Sequence, residues 1–320
     1  MNEKLKIVYK KCGQTPLDCI NEIKKENKEL LHLPLTYAGR LDPLARGVLI
    51  ILIGDECLKK DEYLKLGKVY ETTIIFGFET DTYDLMGMVN KKITPSIPTK
   101  ESFDFSGPRP PDPRFVRAGT RVNEEPDHKN WPTDFVLLKA KTKEVFETVW
   151  PSFLKNLARR PEDLSNISFG EALNKILPQF IGRFKQSYPP YSSRTVNGKP
   201  LYKWAREGKL DEITIPAHDV FVENIEVLRE GFLSGENFLR KIKKDIALVG
   251  GDFRQKEIID LWEKTLKDKK AEQYKTITLK ISCGSGVYVR GIAHELGMSL
   301  GVPAIALDII RTKIGEYEIN

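Results

Sequence analysis

The stretch GRLDPLARGVL, residues 39–49, joins an irregular segment to an apolar one. Two glycines and a proline favour a loop over residues 37–47. From Val48 the residues VLIILI form a continuous apolar run that ends at Gly54, as expected of a buried strand. Asp42 therefore stands on a loop directly before a buried strand, where a rigid scaffold can hold a carboxylate at a cleft. The alternative is a structural aspartate, because Asp before Pro commonly forms turns.

The rest of the chain mixes strands and helices without the regular rhythm of a parallel α/β fold. Strands are predicted where β-branched, aromatic or alternating apolar residues concentrate, at residues 5–9, 68–78, 219–228 and 275–283. Helices are predicted after the capping sequence Thr15-Pro16-Leu17-Asp18, and in residues 170–182, 201–208 and 286–301. We therefore expect an α+β fold, with a mixed, mostly antiparallel sheet flanked by helices and loops.

Residues 92–165 differ from the segments on either side. Their proline-dense stretches PSIPTK and SGPRPPDPRF exclude long regular elements. We expect one catalytic domain over residues 1–320, interrupted by an insertion at about 92–165. Binding of a protein partner by the insertion is permitted and nothing requires it, so no obligatory protein partner is predicted.

Composition favours a polyanionic partner only weakly. The 320 residues are 40% hydrophobic, enough for a sizeable core, and the net charge is +6. A solvated lysine-rich surface explains that charge equally well. The first residues, MNEKLKIVYKK, lack the apolar segment of a secretory leader, and no apolar run is long enough to span a bilayer, so neither a leader nor a membrane partner is expected.

The cysteines and histidines favour a reduced, metal-free protein. His294-Glu295 begins like a zinc-binding helix, but Met298 stands where the second histidine would be. Four cysteines without a C-x-x-C pair are expected to be free thiols of a cytoplasmic protein: Cys12, Cys19, Cys57 and Cys283.

Three further segments carry side chains suited to chemistry or RNA contact. Tyr70 lies in KVYE, where an ordinary strand aromatic is the alternative. Arg290 lies near a predicted helix start, where the helix dipole favours anions. A partner carboxylate or phosphate would explain it, as would exposure on the surface. Residues 191–202 mix aromatic and basic side chains in a loop, as RNA-contacting segments often do.

Together and in this order, these segments resemble the tRNA pseudouridine synthases of the TruB type. The 39–49 stretch keeps every position of that family's G-x-L-D-P-x-A-x-G-x-L loop. Four more segments resemble the family's later motifs: KVYETTIIFGFETDTYDLMG, QSYPPYSSRTVNGKPLYKWAREG, GVYVRGIAHELGMSLG and IIRTKIGEY. The resemblance covers most of residues 5–92 and 170–319.

The resemblance implies the pseudouridine synthase fold and conversion of uridine to pseudouridine in tRNA, at uridine 55 of the T-loop. That reaction is a redox-neutral isomerisation, so neither cofactor nor metal is expected. Asp42 corresponds to the catalytic aspartate, Tyr70 to the tyrosine that stacks on the target base and can act in proton transfer, and Arg290 to the partner of Asp42. The positions that contact the nucleotide are Tyr37, Tyr70, Tyr288 and Ile309.

The sequence departs from the family at several places. Tyr37 stands where a histidine is usual, and KKCGQTP, residues 10–16, lacks a proline and a serine of the usual start. The C-terminal RNA-binding domain of the PUA kind is not expected. Two alternatives stay open: the same chemistry on another RNA, and a catalytically silent RNA-binding protein or RNA chaperone. Loss of Asp42, Tyr70 or Arg290 would favour the silent protein, and all three are present.

Overall fold

A computed structural model of the protein describes residues 4–90 and 168–319. Within them, nine strands form one sheet and two more form a separate ribbon. In chain order the strands are β1 (Leu5–Lys10), β2 (Leu35–Ala38), β3 (Arg46–Ile53), β4 (Lys68–Phe76), β5 (Gly182–Ser187), β6 (Thr195–Val196), β7 (Lys199–Pro200), β8 (Ala217–Ser234), β9 (Gln273–Cys283), β10 (Ala304–Ile314) and β11 (Tyr317–Glu318). The insertion predicted at about residues 92–165 lies outside the described residues.

The sheet has the order β1-β3-β10-β4-β9-β8-β5, with β2 beside β3 and β11 beside β10. Its neighbouring strands are antiparallel, apart from β3 and β10, which are parallel where Arg46 and Gly47 face Ile310 and Arg311. The predicted α+β fold with a mixed, mostly antiparallel sheet is therefore confirmed. Since β10 lies between β3 and β4, it brings the loop before β3 close to β4.

Seven α-helices in the described residues flank the sheet. They are α1 (Pro16–Glu26), α2 (Lys60–Lys65), α3 (Phe169–Ile176), α4 (Leu201–Arg206), α5 (Gly235–Ala247), α6 (Gln255–Leu266) and α7 (Val289–Leu300). Thr15 caps α1 as predicted, because its hydroxyl oxygen accepts from the Asp18 N–H at 3.1 Å while the Asp18 carboxylate accepts from the Thr15 N–H at 2.7 Å. None of these helices is long and apolar enough to cross a lipid bilayer.

The loop predicted over residues 37–47 is shorter than expected at both ends. Tyr37 belongs to β2 and pairs with Ile51, and β3 begins at Arg46. Pairing between the two strands therefore extends regular structure into a segment whose composition favours a loop. We call the remaining irregular residues, together with the first two residues of β3, the 39–47 loop.

The region after residue 228 also differs from the prediction. The strand predicted at 219–228 is the 18-residue β8, because β9 pairs with it as far as Ser234. The helical hairpin α5–α6 was not predicted. Its signal is present in the sequence, since Phe238, Ile242 and Ile246 are fully buried at the four-residue spacing of one helix face.

The two faces of the sheet are covered by different helices. On β4 the consecutive residues Ile74 and Ile75 are both fully buried, and successive strand residues point to opposite faces. The Ile74 face packs against α3 and α7, and the Ile75 face packs against the α5–α6 hairpin, including Trp262. The 39–47 loop lies on the α7 face, because Leu41 belongs to the same apolar cluster as Ile74.

Candidate active site

The buried side chain of Lys10, at the end of β1, holds the 39–47 loop through hydrogen bonds to its backbone. Its Nζ donates to the carbonyl oxygens of Asp42 and Pro43 at 3.2 Å each, and to that of Ala45 at 2.5 Å. Burial lowers the pKa of this ammonium group to about 8, so the charged form still predominates at neutral pH. One lysine thus fixes the backbone from Asp42 to Ala45.

A second buried cation, Arg311 on β10, holds the ends of the same loop. Its Nε donates to the Val48 carbonyl at 2.8 Å and its Nη2 to the Gly39 carbonyl at 3.1 Å. Gly47 has a φ of +114°, and a Cβ there would lie 2.1 Å from the Arg311 carbonyl oxygen. Only glycine therefore allows β3 and β10 to approach so closely at this point.

Arg290, in the first turn of α7, forms an ion pair with Asp42. Arg290 Nε lies 2.8 Å from Asp42 Oδ2, Nη1 donates to the Thr82 carbonyl at 2.6 Å, and Nη2 donates to the Tyr191 carbonyl at 2.9 Å. The Arg290 side chain is 3% exposed and that of Asp42 is 35% exposed. The guanidinium is thus fixed in the protein by three partners, while the carboxylate remains open to solvent on one side.

Tyr70 lies on β4 beside this pair, in the cluster that also contains Leu41 and Ala45. It is 8% exposed. Burial raises the pKa of its phenol, and the nearby Arg311 offsets part of that shift. The phenol is therefore neutral near pH 7, as required of a group that donates a hydrogen bond.

Tyr288 precedes α7 and is fixed through its backbone by Gln186, which is fully buried. The Tyr288 N–H donates to Gln186 Oε1 at 2.8 Å, and Gln186 Nε2 donates to the Tyr288 carbonyl at 3.1 Å. Burial raises the pKa of the Tyr288 phenol, with the charge of Asp42 adding to the shift. Its ring packs edge-on against Tyr188 and His218, which stack on each other with centroids 4.2 Å apart.

A small cleft opens beside Asp42 and includes Ile309 of β10. Its walls are Asp42, Leu44, Ala45, Asp84, Ala306, Leu307, Asp308 and Ile309. The structure therefore brings together five of the six residues singled out in the sequence: Asp42, Tyr70, Tyr288, Arg290 and Ile309.

Tyr37 is not part of this group. Its ring packs with the cluster of Cys19, Ile20 and Ile51 beneath α1. The Tyr37 hydroxyl accepts from Arg40 Nη2 at 3.3 Å, and Lys60 Nζ lies 5.3 Å from the ring centre. In this conformation Tyr37 therefore lies among basic side chains at the β2 side of the loop.

Sequence reasoning missed Asp84, which lines the same small cleft as Asp42. Its Oδ1 accepts from the Thr82 hydroxyl at 2.6 Å and from the Met86 N–H at 2.9 Å. Burial raises the pKa of Asp84 to about 6, and Arg290 opposes that shift. The available signal was its position in TDTYDLMG, one of the segments that carry the resemblance. Lys10 was missed too, because the sequence does not distinguish it from Lys11.

The described side chains include no cluster of three or more histidines, cysteines or carboxylates arranged to bind a metal ion.

Comparison with known proteins gives a consistent result. Residues 31–105 and 153–240, together about half of the chain, match the model of the TruB family pseudouridylate synthase N-terminal domain. A tRNA pseudouridine synthase B of Ligilactobacillus salivarius is 26% identical over 313 residues, covering 98% of this chain and 68% of that protein. The enzyme of the same name from Bifidobacterium longum subsp. infantis is 25% identical over 319 residues, covering 98% of this chain and 64% of that protein.

Among solved structures, the crystal structure of a Cbf5-Nop10-Gar1 complex contains a chain 14% identical to this one. The similarity covers 99% of this chain and 50% of that chain, with a TM-score of 0.44. The curated relatives also extend beyond the matched region, since this chain spans only about two thirds of their length.

Proposed function

Because the chain belongs to the TruB family of pseudouridylate synthases, we propose that it isomerises uridine to pseudouridine in tRNA, at uridine 55 of the T-loop. The observation that carries the proposal is the Asp42–Arg290 pair. The Asp42 carboxylate is open to solvent on one side and lies 2.8 Å from the buried Arg290 guanidinium. Lys10 holds the loop that carries Asp42 through hydrogen bonds to its backbone. Such a carboxylate is oriented for reaction with a ribose brought against its open side.

The reaction needs a group that handles the glycosidic bond. The C1′–N1 bond breaks, the uracil turns, and a C1′–C5 bond forms; C5 loses a proton and N1 gains one, so the atoms balance. An ionised Asp42 can act as nucleophile at C1′ or as base toward the ribose. Arg290 keeps the carboxylate oriented through the 2.8 Å contact of its Nε with Asp42 Oδ2.

The aromatic and apolar groups around Asp42 suit an unstacked base. A uridine in folded RNA must leave its stack, at a cost of a few kcal/mol. Stacking on an aromatic ring recovers about 1–3 kcal/mol per base. Tyr70 and Tyr288 supply such rings, Ile309 supplies an apolar wall, and the neutral Tyr70 phenol can exchange a proton with the base.

Pseudouridine mapping on purified RNA tests the proposal. Recombinant protein incubated with unmodified tRNA transcripts is expected to form pseudouridine at position 55, without added cofactor. A transcript with cytidine at that position should remain unmodified and serves as the control. Mapping tRNA from cells lacking the protein gives the same test in vivo. Modification at another tRNA position, or of another RNA only, would contradict the proposed target.

RNA binding is expected to depend strongly on salt. Basic side chains lie exposed or half-buried on the described surface: Lys59, Lys60, Arg183, Lys199 and Arg206. Contacts between such groups and phosphates release counterions, so five or more contacts predict that tRNA affinity falls about 10²-fold or more between about 50 and 200 mM salt. A fluorescence titration across that range measures the change. A fall of less than about threefold would contradict electrostatic binding.

A further inference from the structure

Arg290 connects two loops by their backbones. One is the 79–90 loop after β4, which supplies the Thr82 carbonyl, and the other is the 188–194 loop after β5, which supplies the Tyr191 carbonyl. The direction of the Arg290 guanidinium, and with it the orientation of Asp42, therefore depends on the distance between these loops.

A second arginine connects the same two loops by their side chains. Arg254 lies between α5 and α6, on the hairpin that covers the other face of the sheet. Its Nη1 and Nη2 lie 2.9 and 3.4 Å from the two carboxylate oxygens of Asp81, which directly precedes Thr82. Its guanidinium also lies 4.6 Å from the ring centre of Tyr191, in a cation–π contact.

The backbone conformation of Arg254 and a hydrogen bond to Asp81 bear on the contact between these two side chains. Arg254 has a φ of +62°, a left-handed conformation that is unfavourable for a residue with a side chain. Asp81 also accepts from the Met88 N–H at 2.8 Å, which ties both ends of the 79–90 loop to the carboxylate. Its oxygens are thereby oriented toward Arg254 before any RNA binds.

We propose that Arg254 is a positioning residue for the reaction, which fixes the spacing of the 79–90 and 188–194 loops and so aims Arg290 at Asp42. This rests on the proposed function. The residue lies beyond residue 240, where the match to the family model ends. The hairpin that closes one face of the sheet thus also supports the active site on the other.

Loss of the Arg254–Asp81 ion pair should affect the catalytic rate more than the stability of the fold. The Arg254 and Asp81 side chains are 25% and 33% exposed, and partly exposed ion pairs contribute little to stability. A displacement of about 1 Å at a catalytic group can lower the rate about 10²-fold. Loss of the Arg254 contacts is therefore expected to lower the rate of the chemical step and to leave the melting temperature and tRNA affinity nearly unchanged.

Single-turnover rates at saturating tRNA, tRNA dissociation constants and melting temperatures test this proposal. Arg254→Ala is expected to lower the rate tenfold or more while changing the dissociation constant less than twofold. Arg254→Lys, which keeps the charge but loses the planar fork, should recover only part of the rate. The matched control is Arg240→Ala on the same hairpin, whose ion pair with Glu236 at 3.1 Å is fully on the surface; it should react like the unmodified protein.

A double-mutant cycle with Asp81→Asn separates this role from general damage. If both side chains act as one unit, Arg254→Ala/Asp81→Asn should lose about as much rate as either single variant, instead of the product of both losses. The positioning role would be overturned if the rate loss of the double variant equalled the product of the two single losses. It would also be overturned if the Arg254→Ala rate stayed within twofold of the original. If Arg254→Ala does not fold, Arg254→Lys is used instead, and a rate within twofold of the original would overturn the positioning role. Absence of pseudouridine formation by the unmodified protein would instead refute the proposed function.

Discussion

Asp42→Asn is expected to fold, to bind tRNA with near-normal affinity, and to form essentially no pseudouridine. We expect a rate loss of at least about 10³-fold, which corresponds to about 4 kcal/mol of barrier. Asparagine has the shape of aspartate and its amide oxygen can accept the hydrogen bond from Arg290 Nε, so the turn and its contacts survive. It has neither the charge nor the basicity that attack on the ribose, or removal of its proton, requires.

Tritium release from RNA labelled at uridine C5 measures the loss, beside a binding titration and a melting curve. The matched control is Asp55→Asn, the same substitution at an exposed carboxylate beyond the end of β3. Retained turnover within about tenfold, roughly 1.4 kcal/mol, would assign Asp42 to a purely structural role in the turn. A variant that folds but no longer binds tRNA would contradict the expected division between binding and chemistry.

The sequence predicted the site in those places where one local pattern determines the structure. The continuous apolar run from Val48 predicted a buried strand, and Asp42 was correctly placed on a loop before it. Arg290 at a helix start, where the helix dipole does not favour a cation, suggested either a carboxylate or phosphate partner or exposure on the surface. The structure places the Asp42 carboxylate at that position.

Other features depend on contacts between distant parts of the chain, which no local pattern contains. Lys10 and Arg311 hold the 39–47 loop from positions 32 and 272 residues away from Asp42 and Gly39, and each does so through backbone carbonyls, which every residue has. Tyr37 could be assigned only by resemblance, and its strand pairing directs it toward α1. The role proposed for Arg254 depends on the α5–α6 hairpin, which was not predicted, and on the packing of that hairpin against the sheet, which no local pattern contains.

Arg290→Lys is expected to lower the single-turnover rate about 10²-fold, or about 2.7 kcal/mol, although it preserves the positive charge. The guanidinium reaches Asp42, the Thr82 carbonyl and the Tyr191 carbonyl with three nitrogens of one rigid plane. A lysine ammonium is a single point at the end of a flexible chain, so it cannot hold these three oxygens in the same geometry. Asp42 would keep a nearby cation and lose its fixed orientation.

The decisive comparison separates orientation from phosphate binding. If Arg290 held an RNA phosphate, lysine would replace it with a modest change in tRNA affinity and near-normal turnover, since phosphate binding tolerates a point charge. Burial argues for orientation: at 3% exposure, with three partners inside the protein, the guanidinium has little surface left for RNA. We therefore expect the rate at saturating tRNA to fall while the tRNA dissociation constant and its salt dependence stay the same. Assays well below the melting temperature of the variant exclude loss of fold, and full turnover by Arg290→Lys would remove the orienting role from Arg290.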